Sequence, residues 1–290
     1  MLGSMVLDVF SHDEDFKVIA TIRSSKEKSL LKKYQNIEFR ELDVEDADLS
    51  TLKSALKDTD WIINCIGIIK TYIHDDNAPE VARAVRINAL FPYLLASALD
   101  NSKVIQITTD CVYSGKKGGY QESDSHDASD VYGKTKSIGE VYLKNMYNIR
   151  CSIIGPELSS HTSLMDWFLN SPKNAKVNGY KNHFWNGVTT LHFAKICIGI
   201  IKKDIKIGHL QHVIPADKVS KMQMLKLFAK NFDRADIEIL PTSESGAVDR
   251  TLKTEKQKIN EKIWFSAGYK TIPTIAKMIE ELGDYTKEQK

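Results

Sequence analysis

Apolar and polar positions along the first half of the chain switch between a helical and a strand period. Leu2, Met5, Val6 and Val9 recur at helical spacing, so the chain opens in a helix. Residues 11–15 form a polar break, and the β-branched run 18–22 predicts a strand. A helix is predicted over 26–34, a strand over 37–42 and a helix over 49–56. Residues 61–66 are apolar but for Asn64, as expected of a strand buried on both faces. A long helix over 79–99, a buried strand over 104–108, a helix over 132–146 and a strand over 150–154 complete this half. Such alternation implies right-handed crossovers and an α/β fold with a mainly parallel sheet.

After Gly155 the pattern loosens. Helices are expected over 161–168, 191–201 and 221–228, with a last one starting near Pro273. Strands are expected over 210–214 and 237–240. Residues 174–185, rich in Asn, Lys and aromatics, read as a loop with a short strand. No repeat of 20–50 residues appears, which argues against a solenoid. The picture is a nucleotide-binding half with a smaller module interleaved.

Composition narrows this little further. The 290 residues carry 42% hydrophobic and 27% charged side chains, ordinary for a globular protein. Lys+Arg is 40 against Asp+Glu 38, a net charge of +2, so neither a nucleic-acid partner nor a membrane partner is expected. The longest uncharged apolar stretch, 61–69, is about half of the ~20 residues a membrane span needs. The N-terminus makes a poor signal peptide, with no Lys or Arg before its apolar run and Asp8 early. Four cysteines without a C-x-x-C pair suit reduced thiols, so a cytoplasmic location is expected. His209 and His212 would face opposite sides of a strand, and His12, His74, His126 and His161 sit among polar residues and are expected to be solvated. No metal is expected.

The strongest chemical signal is Tyr132-Gly-Lys-Thr-Lys136 on a predicted helix. Tyr and Lys four apart share a helix face. A nearby ammonium favours the phenolate and lowers the phenol pKa, which suits a general acid near neutral pH. An accidental surface pair would look the same in isolation. The context is more specific. About twenty residues upstream a buried strand ends in Ile107-Thr-Thr-Asp-Cys-Val-Tyr-Ser-Gly115. Catalytic groups of open α/β sheets gather at the carboxyl ends of strands. A Thr hydroxyl there can hydrogen-bond a substrate carbonyl, although β-propensity and local capping also account for Thr108 and Thr109.

Together, TTDCVYSG and VYGKTKSIGE resemble the extended short-chain dehydrogenase/reductase superfamily, and within it the dTDP-4-dehydrorhamnose reductase-like family of sugar-nucleotide reductases. The resemblance runs over almost the whole chain and is strongest from 18 to 157. It implies a Rossmann-like, doubly wound sheet. The NADP-binding domain would be 1–154 plus about 183–204, and the substrate-binding lobe 155–182 and 205–290. It implies NADP(H)-dependent reduction of the 4-keto group of a 6-deoxy sugar nucleotide, with homodimers common in the superfamily. A non-catalytic regulatory subunit of a partner enzyme is the alternative, since some relatives play that role.

The resemblance also implies roles. Tyr132 would donate the proton, Lys136 would tune it and bind the nicotinamide ribose, and Thr109 would orient the carbonyl. Asn64 and Gly67 would form the turn against the cofactor, or a simple strand-ending turn. Asp43 would meet the adenine, or cap the helix that follows. Asn88 would support the site and Gly155 would border the nicotinamide. Arg23, with Ser24, Ser25 and Lys26, suits a 2′-phosphate, so NADP(H) is preferred over NAD(H); a solvated surface Arg is the alternative. Asp110 is assigned to the substrate. His183, Phe184 and Trp185 would stack on a base or sugar, or pack between the lobes, and Arg250 would clamp phosphate, or form a surface salt bridge.

One part of the pattern has no counterpart. The family begins with a strand and a Gly-rich turn, whereas here Met1-Leu2-Gly3-Ser4 already lies inside that motif, with Gly3 matching its last glycine. The first strand is central in a doubly wound sheet. Without it, two rows of backbone groups lack partners or the core has an open slot. Two explanations are a shortened form of an ordinary reductase and a true variant with impaired dinucleotide binding. The intact Thr109, Tyr132 and Lys136 set favours the first. Either way, weak NADPH binding by these 290 residues is expected.

Overall fold

A computed structural model describes residues 1–24, 33–34, 37–99, 101–158, 161–244 and 246–289. Ser25, Lys26 and most of the helix expected over 26–34 lie outside the described residues. The first half runs α1 (Leu2–Ser11), β1 (Ile19–Ile22), β2 (Glu38–Glu41), α2 (Leu49–Ala55), β3 (Trp61–Asn64), α3 (Ala78–Ala84), α4 (Phe91–Ala98), β4 (Lys103–Thr108), α5 (Val131–Ile138) and β5 (Met146–Arg150). Then follow β6 (Ile153–Ile154), α6 (Leu164–Leu169), β7 (Lys176–Tyr180), β8 (His183–Trp185), β9 (Val188–Thr189) and α7 (Thr190–Lys202). The chain closes with β10 (Leu210–His212), β11 (Val219–Ser220), α8 (Lys221–Asn231), β12 (Glu238–Thr242), β13 (Val248–Asp249), α9 (Gln257–Ser266) and α10 (Ile275–Glu288).

The architecture is α/β with mainly parallel sheets. Four parallel strands pair in the order β10-β5-β4-β3, and β1 pairs in parallel with β2. No strand among the described residues joins β1 to β3. Among the described residues the parallel layer is split between β1 and β3. This explains a departure from the apolar pattern. Residues 61–63 are half-buried, not covered on all sides, because one edge of β3 has no neighbour. By contrast, β4, paired on both sides, is buried from Val104 to Thr108.

Two hydrophobic clusters flank this layer. On one face Leu2, Met5, Val6 and Phe10 of α1 pack with Ile105, Ile149, α7 and α10. On the other, Leu42, Val44 and Leu52 pack with Ile87, Phe91, Leu95 and Val104. Burial of this kind contributes roughly 25 cal/mol per Å² of apolar surface.

Other elements differ from expectation for local reasons. The long helix over 79–99 is divided into α3, a π-helical turn at Val85–Leu90, and α4. Pro92 lacks the N–H that would bond the Asn88 carbonyl. The helix expected over 132–146 ends at Ile138, because Gly139 lies against that carbonyl: a Cβ there would sit 2.0 Å from Asn88 O. Residues 146–150 then enter the sheet as β5. The expected loop at 174–185 contains two strands, β7 and β8. Helix α9 was not foreseen. No helix among the described residues is long and apolar enough to cross a membrane.

A buried charge ties β5 to its surroundings. Arg150 is fully buried and donates from Nε to Glu140 Oε1 at 2.8 Å and from Nη2 to Glu140 Oε2. Nη1 donates to Tyr113 Oη at 2.6 Å and to His212 Nε2 at 2.7 Å, and Nη2 reaches His126 Nε2 at 2.7 Å. All five guanidinium donors are thereby used. His126, expected to be solvated, is therefore a partly buried acceptor. Both rings must present an unprotonated Nε2. Burial, then the Arg150 charge, pushes His212 down to about 4. His126 is also lowered, chiefly by burial.

An unfolded His titrates near 6.5. The folded state therefore disfavours the proton, and this stabilisation is whole above about pH 6.5 and is lost as pH falls towards 4. Urea unfolding is expected to show about 2 kcal/mol less stability at pH 4.5 than at pH 7 from this cluster, with a smaller drop in His212→Gln. Gly139→Ala is expected to lose about 2 kcal/mol by the same assay, since a methyl has no room against Asn88.

Candidate active site

The carboxyl end of β4 and the start of α5 build the centre. Thr109 caps a single 3-10 turn at Asp110–Val112, its Oγ1 accepting from Cys111 N at 3.1 Å. The same hydroxyl lies 3.2 Å from Asp110 Oδ1 as donor. Asp130 caps α5 by accepting from Gly133 N at 2.8 Å. Gly133 permits a contact no other residue would: a Cβ would lie 2.4 Å from Ala128 Cβ and 2.5 Å from Cys111 O. The first turn of α5 is thus seated on the loop after β4. That seating sets the Tyr132 phenol beside the Thr109 side chain. Lys136, buried, donates from Nζ to the Ile107 carbonyl at 3.1 Å.

The electrostatics differ from the helix-face argument. Burial raises the Tyr132 phenol above its ordinary value, Cys111, Asp110 and Asp130 reinforce this, and the Thr109 hydroxyl opposes it. Burial also pushes Lys136 down to about 8, partly offset by Glu140. Loss of water dominates both shifts, and the Tyr132–Lys136 pairing expected from helix spacing is not among their causes. The site holds an un-ionised phenol, and an ammonium close to giving up its proton.

Several expected residues support this centre. Asn88 Oδ1 accepts from Ile68 N at 2.8 Å and its Nδ2 donates to Ile68 O at 3.0 Å, holding the irregular segment that follows Gly67. A Cβ at Gly67 would be 3.3 Å from Asn88 Oδ1 and 3.9 Å from Lys136 Nζ, so these three lie together. Asn64 donates to Gln106 Oε1 at 2.7 Å and accepts from Ile66 N at 3.0 Å, fixing the turn after β3. Gly155 lies against Thr190, whose Oγ1 would be 2.1 Å from an added Cβ.

At the far end of the cleft, Arg23 closes β1 with its Nε 4.0 Å from Asp43 and Nη2 3.9 Å from Glu45. Asp43 accepts from Glu45 N at 3.0 Å, while the helix cap is Asp48, so Asp43 caps the turn and not α2. Ser24 follows Arg23. Gly3 lies in the first turn of α1, with its would-be Cβ 3.6 Å from Cys65 Cβ.

On the opposite side, Asp110 is buried and its pKa is raised by that burial, with Arg250 lowering it. Arg250 donates from Nε to Tyr113 O at 2.8 Å. Trp185 is 9% exposed and belongs to the core, whereas its neighbour Phe184 is exposed beneath Lys218 Nζ at 4.7 Å. Sequence reasoning missed Lys221. It is half-buried, its pKa is lowered by burial and then by Arg250, and among the described residues it makes no hydrogen bond or ion pair. It also missed Cys111, which lies beside Tyr132 and Asp110. Only position could have marked either: Lys221 follows a capping Ser, and Cys111 follows the Thr pair.

These side chains fit a nicotinamide nucleotide at two ends. Thr108 Oγ1 and Thr190 Oγ1 are buried hydroxyls with no hydrogen-bond partner, at the end of β4 and beside Gly155. They and Lys136 suit the ribose and nicotinamide; Arg23, Ser24 and Asp43 suit the adenosine end. Between the two, Gly3 is the sole glycine of the expected turn.

Comparison with known proteins identifies the fold and the family. The family model described as the RmlD substrate binding domain matches residues 1–284. A dTDP-4-dehydrorhamnose reductase from Clostridium acetobutylicum superposes with a TM-score of 0.67 at 19% identity, covering 94% of this chain and 100% of the other. The Bacillus anthracis enzyme, solved in complex with NADP, gives 0.68 at 18%, covering 94% and 99%. A UDP-glucuronic acid 4-epimerase from Bacillus cereus gives 0.73 at 16%, covering 100% and 97%. Methionine adenosyltransferase 2 subunit beta from Bos taurus is 24% identical over 185 residues, 60% of this chain and 55% of that protein. By the match over 284 of its residues, the chain belongs to the RmlD substrate-binding-domain family, on a fold shared with the short-chain dehydrogenase/reductase-like enzymes.

Proposed function

We propose that the protein reduces the 4-keto group of a 6-deoxy sugar nucleotide, with NADP(H) preferred over NAD(H). The observation that carries this reading is the seating of α5 on the loop after β4, which gathers Thr109, Tyr132 and buried Lys136 at the carboxyl end of β4. When bound, the reduced nicotinamide supplies the hydride. Tyr132, kept un-ionised by burial, gives its phenolic proton to the carbonyl oxygen. The Thr109 hydroxyl orients that oxygen and then stabilises the phenolate. The Lys136 ammonium, one turn along α5, holds the ribose side and returns positive charge to the pocket. Arg250 and Lys221 suit the diphosphate: neighbouring cations in a half-buried setting gain a counter-charge when a dianion enters. Arg23 supports the preference for a 2′-phosphate. The NADP-binding domain would comprise 1–154 with about 183–204, and the remainder the substrate lobe.

A second reading is a regulatory subunit that binds nucleotide without turnover. The likeness to the bovine subunit and the split beside β3 favour it. NADPH oxidation with a dTDP-4-keto-6-deoxyhexose, on a chain carrying an added first strand, separates the two. Turnover that falls by 10² or more in Tyr132→Phe supports the reductase. Equal inactivity of both across a panel of keto-sugar nucleotides supports the regulatory subunit, and full activity of Tyr132→Phe removes the phenol from the mechanism.

Two further outcomes are expected. Lys136 is charged below about pH 8, so kcat/KM should fall as pH rises through that value, and Lys136→Met should lose that limb of the profile. Lys221→Met should raise KM for the sugar nucleotide about tenfold with kcat little changed, because binding to a remote phosphate is felt equally in ground and transition states.

A further inference from the structure

A hydroxyl has one proton to give, and that of Thr109 is already placed. Thr109 Oγ1 accepts from Cys111 N at 3.1 Å, so one of its lone pairs is fixed by the backbone of the 3-10 turn at Asp110–Val112. The same atom donates to Asp110 Oδ1 at 3.2 Å. Both residues are buried, so bulk water does not compete for this bond. A hydroxyl that orients a substrate carbonyl must donate to it. Here the proton points instead at the carboxyl group of the next residue.

Ionised, the Asp110 carboxylate only accepts, and it competes with a carbonyl for the Thr109 proton. Protonated, the same carboxyl donates to the remaining lone pair of Thr109 Oγ1, and the threonine proton turns outward with no hydrogen bond lost. A carboxylic acid kept neutral by its surroundings is able to donate in this way. The contact is longer than the about 2.5–3.0 Å usual for O–H···O, so the proton is held but not locked. Burial raises the Asp110 pKa, while the Arg250 charge and the Thr109 and Ser152 side chains lower it. Arg250 is anchored through Nε on the Tyr113 carbonyl at 2.8 Å. Tyr132 of α5, Cys111 of the same turn and Cys151 after β5 also face Asp110, all three pushed up by burial. Lys70, Lys221 and Asp130 act on Cys111 or Tyr132 beside it.

We propose that Asp110 is a positioning residue with two states: as a carboxylate it holds the Thr109 proton, and as a carboxylic acid it donates to Thr109 and frees that proton for the substrate oxygen. The exchange takes up one proton from solvent, which forms the carboxyl O–H, and no other covalent bond is made or broken. The working site then has Asp110 and Tyr132 both un-ionised, with the Thr109 hydroxyl turned to the carbonyl. This deepens the reductase reading and rests on it for the substrate, whereas the exchange between Thr109 and Asp110 is a property of the protein alone.

The test first reads the carboxyl without substrate. In the 290-residue chain labelled with carbon-13 at its Asp carboxyls, NMR follows each signal with pH, and Asp110→Asn identifies that of Asp110. Its midpoint should lie above the ~3.9 of a free Asp, and Thr109→Val, which removes the donor to the carboxylate, should move it higher still. A midpoint at or below the free value, or one that Thr109→Val leaves in place, would overturn the proposal. The second readout is kcat/KM against pH in the NADPH-oxidation assay above. Wild-type kcat/KM should fall as pH rises through the Asp110 midpoint, because the carboxylate then takes back the Thr109 proton, and this limb should survive in Lys136→Met. An Asn amide donates at every pH, so Asp110→Asn should lose the limb and exceed Asp110→Ala by about tenfold. Persistence of the limb in Asp110→Asn, or equal loss in the Asn and Ala variants, would also overturn it. Turnover by none of these proteins would overturn the reductase reading, and the carboxyl titration would then decide the exchange by itself.

Discussion

The candidate site depends on α5 lying without clearance on what surrounds it. At its first turn Gly133 meets Ala128 and the Cys111 carbonyl; at its end Gly139 meets the Asn88 carbonyl. Pro92 matters to the second contact because it leaves that carbonyl outside the helical ladder. Two glycines and one proline, all remote from any reacting atom, thus set where Tyr132 and Lys136 stand. Side chains held this way owe their geometry to the seating of the helix backbone.

Burial has opposite consequences in two neighbouring places. Arg150 is wholly buried yet stays charged, because five acceptor contacts consume its donors and Glu140 balances its charge. Tyr132 and Lys136 are buried with fewer compensating partners, and both shift towards their neutral forms. The first arrangement holds β5, the end of α5 and β10 together. The second yields an un-ionised phenol and an amine that exchanges its proton near pH 8. Glu140 links the two, since it binds Arg150 and also raises Lys136.

The split between β1 and β3 bears on both. The carboxyl ends of β3 and β4 carry Asn64, Gly67 and Thr109, and the carboxyl end of β1 carries Arg23. A layer interrupted between them leaves the adenosine-side and nicotinamide-side residues on two separately paired pieces. They are joined through α1 and through the packing of Leu42 and Val44 on α2.

Much of this was legible in the chain because it is local. The period of apolar residues marked α1, α2, β4 and α7, and the Thr pair with Tyr132 and Lys136 marked the centre. What tertiary structure decided was everything set by partners distant in sequence. The strand at 61–64 reads as fully buried, but exposure depends on whether a neighbour stands beside it. The aromatic run 183–185 could not say which ring faces the cleft; packing on the core took Trp185 and left Phe184 outside. The sign of the Tyr132 shift depends on how much water the fold removes, which helix spacing alone does not contain. Spacing along a chain fixes which groups share a face, whereas desolvation and strand pairing are properties of what lies opposite.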